Sequence, residues 1–437
     1  MGTEALKNKV VVLGILTLFL SSVFVAQTQG EVQSHYLLPS PLLVDMKLEE
    51  TMFRRMSVRE FTPELITDEE LSTVLWAACG YQSQGGRTIA GINGTYSGII
   101  YVLKEDAVYT YDPVNHSLVF FKEGDWRDVV GWQYQAPIQL GLCYDTIKAD
   151  SLFGGAELGQ MGQNIQWMAN ALDLGTVVCG QTPPAIEPLG IPENQEGMIV
   201  MPLGHLVYEY DFKNRPFWVS SLPKIQTSSL TLSEALDNRT EGTSFTGSLT
   251  KVQLSQLVWC TYGFSPYVDR SGQEKNVVKR HRTLPSAHGY YPLCMYAVTQ
   301  QGVFYYQPNL FMRFQKTPVD FIGLPILTFL MKKISGDHRL EVAEAAGHPN
   351  IASAPLIMLT VLDLEMTRPA GKDDLSGEGD RRFWYFEAGA SAHNVLMEAT
   401  SWGLSAAVFP PADAAAVQSL LQLDETYLPL FVIPVGH

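Results

Sequence analysis

A helix-like stretch, LSTVLWAACG at 71–80, returns as LSQLVWCTYG at 254–263. Leu71, Ser72, Trp76 and Gly80 meet Leu254, Ser255, Trp259 and Gly263 at one constant spacing. A possible capping box precedes each copy, Thr67-x-x-Glu70 and Thr250-x-x-Gln253. Apolar residues at 71, 74, 75 and 78 follow the helical period. Further stretches recur in the same order. RTIAGINGTYSGIIY (87–101) returns as RTLPSAHGYYPLCMY (282–296). ELGQMGQNIQWMANALDLG (157–175) returns as EAGASAHNVLMEATSWGLS (387–405), and PLGH (202–205) as PVGH (434–437). Ordered recurrence of this kind points to tandem duplication. The spacing drifts along the chain, so the second copy carries insertions, the largest between about 310 and 350.

The duplication predicts two α+β domains, 50–219 and 231–437, that pair within the chain as an intramolecular pseudo-dimer. SSLPKIQTSSL (220–230), rich in Ser, Thr and Pro, reads as the linker. Strand-like runs such as GIIYVL (98–103), APIQLGLCY (136–144) and GMIVMPLG (197–204) alternate with helices. The 157–174 helix is apolar on much of its circumference, and Gly159 and Gly162 permit close approach, so it is expected to be central. With 46% hydrophobic and 17% charged residues, 437 residues can bury such cores. A net charge of -15 disfavours nucleic acid as a partner, yet leaves room for one local basic pocket.

Lys7 and Lys9 precede VVVLGILTLFLSSVFVAQ (10–27), which carries no charge. Residues 1–30 therefore read as an export signal, with an N-terminal membrane anchor as the alternative. Either one implies a protein working outside the cytoplasm, secreted, periplasmic or at the cell surface. The five cysteines stand singly, without metal-ligand spacing, so no metal site is expected and buried inert thiols are the simple reading.

The two copies differ in an ordered way. The first holds RRMSVREF (54–61), with Arg55, Ser57 and Arg59; the second aligns NRTEGTSF (238–245), where Arg239 survives, Glu241 faces Ser57 and Thr243 faces Arg59. Past PLGH the first copy continues to Lys213 and Arg215, whereas the second stops. Conversely, Pro285, Ser286, Ala287 and Gly289 of the second copy face Ala90, Gly91, Ile92 and Gly94. Taken alone, RRMSVR could be a solvated basic turn and PSAHGYYP an ordinary turn.

Together, RRMSVREF, the capped helix, PSAHGYYP, the GQN of 162–164 and the PLG strand resemble the flavin-dependent nitroreductase family, over nearly everything after residue 50. The loop is most similar to the azoline-dehydrogenase (SagB-type) branch, which oxidises rings in peptides. The resemblance implies FMN in clefts between two subunits. One subunit gives the Arg-x-Ser-x-Arg segment and a basic pair, the other the Pro-Ser loop. A duplicated chain would build both clefts itself, so no homodimer is required. All retained parts then belong to one cleft: Arg55, Ser57, Arg59, Lys213 and Arg215 for phosphate, and Pro285, Ser286, Ala287 and Gly289 for the ring wall. Cys179, Gly180 and Gln181 would stand near the reactive flavin nitrogen.

The expectation is one FMN per chain and an exported FMN-dependent oxidoreductase acting on a small molecule or peptide. A non-catalytic flavin- or ligand-binding protein on the same fold is the alternative. No acid or base is assigned. His288, Tyr290 and Tyr291 lie nearest, and a loop histidine bonded to backbone is the simpler reading of His288. The Lys-Tyr pair of azoline-oxidising enzymes has no clear match in GDRRFWYFEAG (379–389).

Overall fold

Both capping boxes form. The Thr67 and Thr250 hydroxyls each accept from a backbone N–H three residues on, and Glu70 and Gln253 reach back to the cap. A third box, Thr231 with Glu234, starts the helix Leu232–Asn238. The computed structural model describes residues 35–180, 186–208, 210–213, 222–270, 279–309 and 328–437. The body, Leu37–His437, is one unit. The apolar segment 10–27 lies outside the described residues, and no described helix is long and apolar enough to cross a membrane.

The first copy contributes helices α1 (Leu48–Arg54), α2 (Asp68–Cys79), α3 (Arg127–Val130) and α4 (Ser151–Ala171). Its strands are β1 (Gly98–Leu103), β2 (Ala107–Asp112), β3 (Ser117–Glu123), β4 (Ile138–Asp145), β5 (Leu174–Thr176), β6 (Cys179–Gly180), β7 (Gln195–His205) and β8 (Tyr210–Lys213). The second contributes α5 (Leu232–Asn238), α6 (Lys251–Tyr262), α7 (Arg339–Ala345), α8 (Arg381–Ser401) and α9 (Ala414–Leu420). Its strands are β9 (Phe264–Arg270), β10 (Lys279–Arg282), β11 (Leu293–Thr299), β12 (Gly302–Asn309), β13 (Thr328–Ser335), β14 (Leu356–Asp363), β15 (Ser405–Ala406) and β16 (Tyr427–Gly436). The sheets repeat one order, β3-β2-β1-β4-β7-β5 and β13-β12-β11-β14-β16-β15, all antiparallel, so the mixed α+β expectation holds for both copies. A small sheet, β10-β9-β8, joins the copies.

The central helices α4 and α8 cross at glycines. A Cβ on Gly159 would stand 2.0 Å from the Phe386 carbonyl oxygen, and one on Gly389 2.0 Å from that of Ala156. Only hydrogen fits there. Several further contacts come in related pairs. Val44 N–H donates to the Ser233 hydroxyl, and Ser228 N–H to Glu49. Leu42 N–H donates to Thr73, and Gln226 N–H to Gln256. Lys47 and Thr231 bridge each other and mark the pseudo-two-fold axis. The stretch read as a linker is thus bonded into the body from residue 222, and mirrors 38–46. The repeat begins upstream of residue 50 because these extended segments bond to helices of both copies.

All five cysteines are buried and unbonded to one another, as inert thiols should be. A buried acid pair lies between the copies. Glu49 accepts from Ser228, and Glu398 from Gln256 and Trp402. Burial first, then the Glu49 charge, pushes Glu398 up to about 8. The fold therefore holds this proton more tightly than the unfolded chain does. Its stabilisation is complete below about pH 4.5 and is lost as pH rises toward 8. Glu398→Gln should match the parent's urea midpoint near pH 4 and exceed it above about pH 8.

Candidate functional site

One cavity, about 290 Å³, opens between the copies. That is near the small end of ligand pockets, which run from ~300 to ~1,000 Å³. The first copy supplies Ser57, Arg59, Tyr134 and the run Val177–Gly180; the second supplies the 285–289 loop with Phe383, Phe386 and Glu387. Eight of the sequence-predicted residues thus meet at one place: Ser57, Arg59, Cys179, Gly180, Pro285, Ser286, Ala287 and Gly289. The sequence reading missed Tyr134, Phe383, Phe386 and Glu387. The aromatics carried no motif, but Glu387 stood in the repeated E-x-G pattern beside Glu157.

Arg59 is exposed, lies at the cavity, and donates to the Ser57 carbonyl at 3.2 Å. It is the lining's one arginine or lysine among the described residues. Cys179 and Gly180 are fixed by pairing to Val200 and Ile199 of β7. A Cβ on Gly180 would press into the Phe383 ring at 2.3 Å, so the small residue keeps that wall flat. Burial, only partly opposed by Arg59, pushes the Cys179 thiol up to about 12, which leaves it a poor nucleophile.

The 285–292 loop is strained. His288 and Tyr291 hold φ values of 52° and 54°, alongside Gly289 at 70°. Such backbone costs ~1–3 kcal/mol per non-glycine residue and clusters at functional sites. Ser286 secures it by accepting the Tyr291 N–H at 2.8 Å. His288 pairs with the Asp373 carboxylate at 3.2 Å, not with backbone. Tyr290 turns inward, donating to the Asp373 carbonyl and stacking on Trp384, and Tyr291 covers the Arg282 guanidinium. Neither tyrosine lines the cavity.

Arg55 departs from the expectation. It is 2% exposed and does not line the cavity. Its guanidinium donates to the Arg282 carbonyl at 2.8 Å and to Gln166 at 3.1 Å. Arg239 does the same for the other copy, donating to the Arg87 and Ile89 carbonyls at 2.8 Å. Each arginine pins the opposite loop base, which explains why this residue survives in both copies. Lys213 ends β8, whose backbone pairs with β9; Gln181 and Arg215 lie outside the described residues.

A second cavity of about 700 Å³ occupies the mirrored position. There Glu241 and Thr243 replace Ser57 and Arg59, and Ala407, Val408, Phe409 and Pro410 replace Val177–Gly180. Its described lining holds no arginine or lysine, and the Phe409 ring stacks on His348 at 4.0 Å. Glu241 accepts the Gly91 N–H at 3.3 Å. A phosphate placed here would meet a carboxylate.

The profile of the nitroreductase family matches residues 52–205 and again 246–437. Protein MJ1384 of Methanocaldococcus jannaschii, which carries a nitroreductase name, is 31% identical over 165 residues, 32% of this chain and 81% of that one. A crystal structure from Anabaena variabilis, described as a nitroreductase, superposes at TM-score 0.62 over 93% of this chain and 94% of its own, at 12% identity. That likeness extends over both copies and concerns the fold. A second, from Ralstonia eutropha, is 28% identical over 41% of this chain and 93% of its own, at TM-score 0.38.

Proposed function

Since this chain belongs to the nitroreductase family in both of its halves, we propose that it is an FMN-dependent oxidoreductase with one flavin per chain. One observation carries the reading: the cationic segment and the Pro-Ser loop, some 220 residues apart in sequence, converge on a single cavity, while the mirrored cavity is acidic. The residues suit the cofactor. Arg59 and Ser57 offer a cation and a hydroxyl to phosphate or ribityl oxygens. Val177–Gly180, Pro285, Phe383 and Phe386 offer flat apolar walls to a ring system. Bound FMN would supply a two-electron carrier. The chain's part is to grip one end, hold the ring against a rigid loop, and keep water from it.

The substrate is a small molecule or peptide admitted at the open side of the cavity. We place the loop nearest the azoline-dehydrogenase branch on the wording of PSAHGYYP. We also propose export by residues 1–30, on their basic-then-apolar character.

Purified protein should show flavin absorbance at one FMN per chain. Arg59→Ala should weaken FMN binding about tenfold or more, since a charge-assisted contact contributes ~1.5–3 kcal/mol. Two flavins per chain, or none after incubation with excess FMN, would reject this reading. Failure of reducible flavin to pass electrons to any acceptor would leave a binding protein.

A further inference from the structure

The two copies use one carboxylate in opposite ways. In α4, Glu157 is 3% exposed and fully engaged. It accepts Ser97 N–H and the Ser97 hydroxyl, both at 2.7 Å, and Gly98 N–H at 2.9 Å. It is a clamp between the helix and the start of β1.

Glu387 is its counterpart in α8, and is 1% exposed. None of the donors that hold Glu157 reaches it. Pro292 stands in place of Ser97, with neither N–H nor hydroxyl. Leu293, in place of Gly98, gives its N–H to the Tyr262 hydroxyl at 3.3 Å. Tyr262 itself replaces Cys79, and its hydroxyl donates to Glu387 Oε1. The other oxygen, Oε2, is buried without a hydrogen bond of good geometry, and the Ser286 hydroxyl stands close enough to favour the charged form. Unlike Glu157, Glu387 lines the cavity. Three substitutions have thus converted a saturated clamp into a half-bonded acid beside the retained site. Leaving a buried carboxyl oxygen so poorly bonded is costly to the fold.

We propose that Glu387 is the proton-exchanging residue of this cavity, with Tyr262 as the residue that positions it. The proposal rests on the flavin reading above. An acceptor that takes a hydride from reduced flavin gains two electrons and one negative charge, and the flavin is oxidised. The Glu387 O–H bond then breaks, an X–H bond forms on the acceptor, and the carboxylate is left. Water at the cavity mouth restores its proton. Oxidation of a substrate runs the same transfer backward, with the carboxylate taking the proton. Burial, opposed by Tyr262, Ser286 and Arg282, pushes Glu387 up to about 8. A group that changes charge near working pH suits either direction.

Infrared difference spectra of the full chain without flavin, parent against Glu387→Gln, test the acid itself. A protonated-carboxyl band should be present at pH 6, vanish with a midpoint near 8, and be missing from the variant. Tyr262→Phe removes a donor to the charged form, so it should raise that midpoint. With FMN bound, Glu387→Gln should lower kcat for a nitroaromatic acceptor about 100-fold, within the ~10²–10⁴ range of general acid catalysis. Ferricyanide reduction, which needs no proton, should fall far less, so the ratio of the two rates reports the lost proton transfer. A carboxyl already ionised at pH 6, or a variant with parental nitroaromatic kcat, overturns the proposal. Should Glu387→Gln not fold, the parent titration and the Tyr262→Phe shift decide it, and an unmoved midpoint overturns it. A normal carboxyl titration in a chain that binds no flavin rejects the cofactor reading separately.

Discussion

Ala287→Trp is expected to leave the protein folded and free of flavin. Ala287 lines the retained cavity, is half-buried, and spares the Ser286 hydroxyl that holds the loop. An indole there fills a space of about 290 Å³ that a flavin ring would otherwise take. The comparison in the mirrored cavity is Thr243→Trp, at an exposed lining residue that stands where Arg59 stands in the first. That variant should retain the parent's flavin content. The flavin-to-protein ratio after desalting measures both. Equal loss in the two variants would mean that both cavities bind the cofactor, and the asymmetry argued from Glu241 would fail.

Gly159→Leu should prevent folding altogether. The position a Cβ would take is 2.0 Å from a backbone oxygen, and backbone in the middle of α8 cannot swing aside as a side chain can. The two helices would have to separate along their length, and they form the centre that both sheets pack around. Overpacking of an ordinary core costs ~1–3 kcal/mol; forcing apart a glycine crossing should exceed this and approach the ~5–15 kcal/mol total stability of a domain. Gly336→Ala, with nothing within 4 Å of the added carbon, is the control and should unfold near the parent temperature. Circular dichroism melts compare them. A cooperative, parent-like melt for Gly159→Leu would show that the crossing tolerates separation.

Much of this architecture was readable because duplication printed it twice. The Trp76/Trp259 helices, their caps and the glycine-bearing central helices each had a second copy to confirm the pattern. The candidate site was readable through difference: residues that only one copy retained, Ser57, Arg59, Pro285 and Ser286 among them, line a single cavity. The same logic, applied more strictly, would have corrected Arg55. A residue surviving as Arg239 beside a lost phosphate segment must serve something common to both copies, and both arginines pin loop carbonyls. Glu387 was hidden for the converse reason. It is unchanged between copies, and its altered role follows from Pro292 and Tyr262, whose closeness to it exists only in three dimensions. Phe383, Phe386 and Tyr134 carried no signal, since aromatic side chains occur throughout a core.

Lys47 and Thr231 touch across the pseudo-axis as residues of one covalent chain. Two separate subunits drift apart on dilution, and a pocket built from both walls is dismantled with them. Here both walls belong to one chain, so their meeting is intramolecular and independent of protein concentration. Cofactor occupancy should then follow the concentration of free flavin alone, however thinly the protein itself is spread.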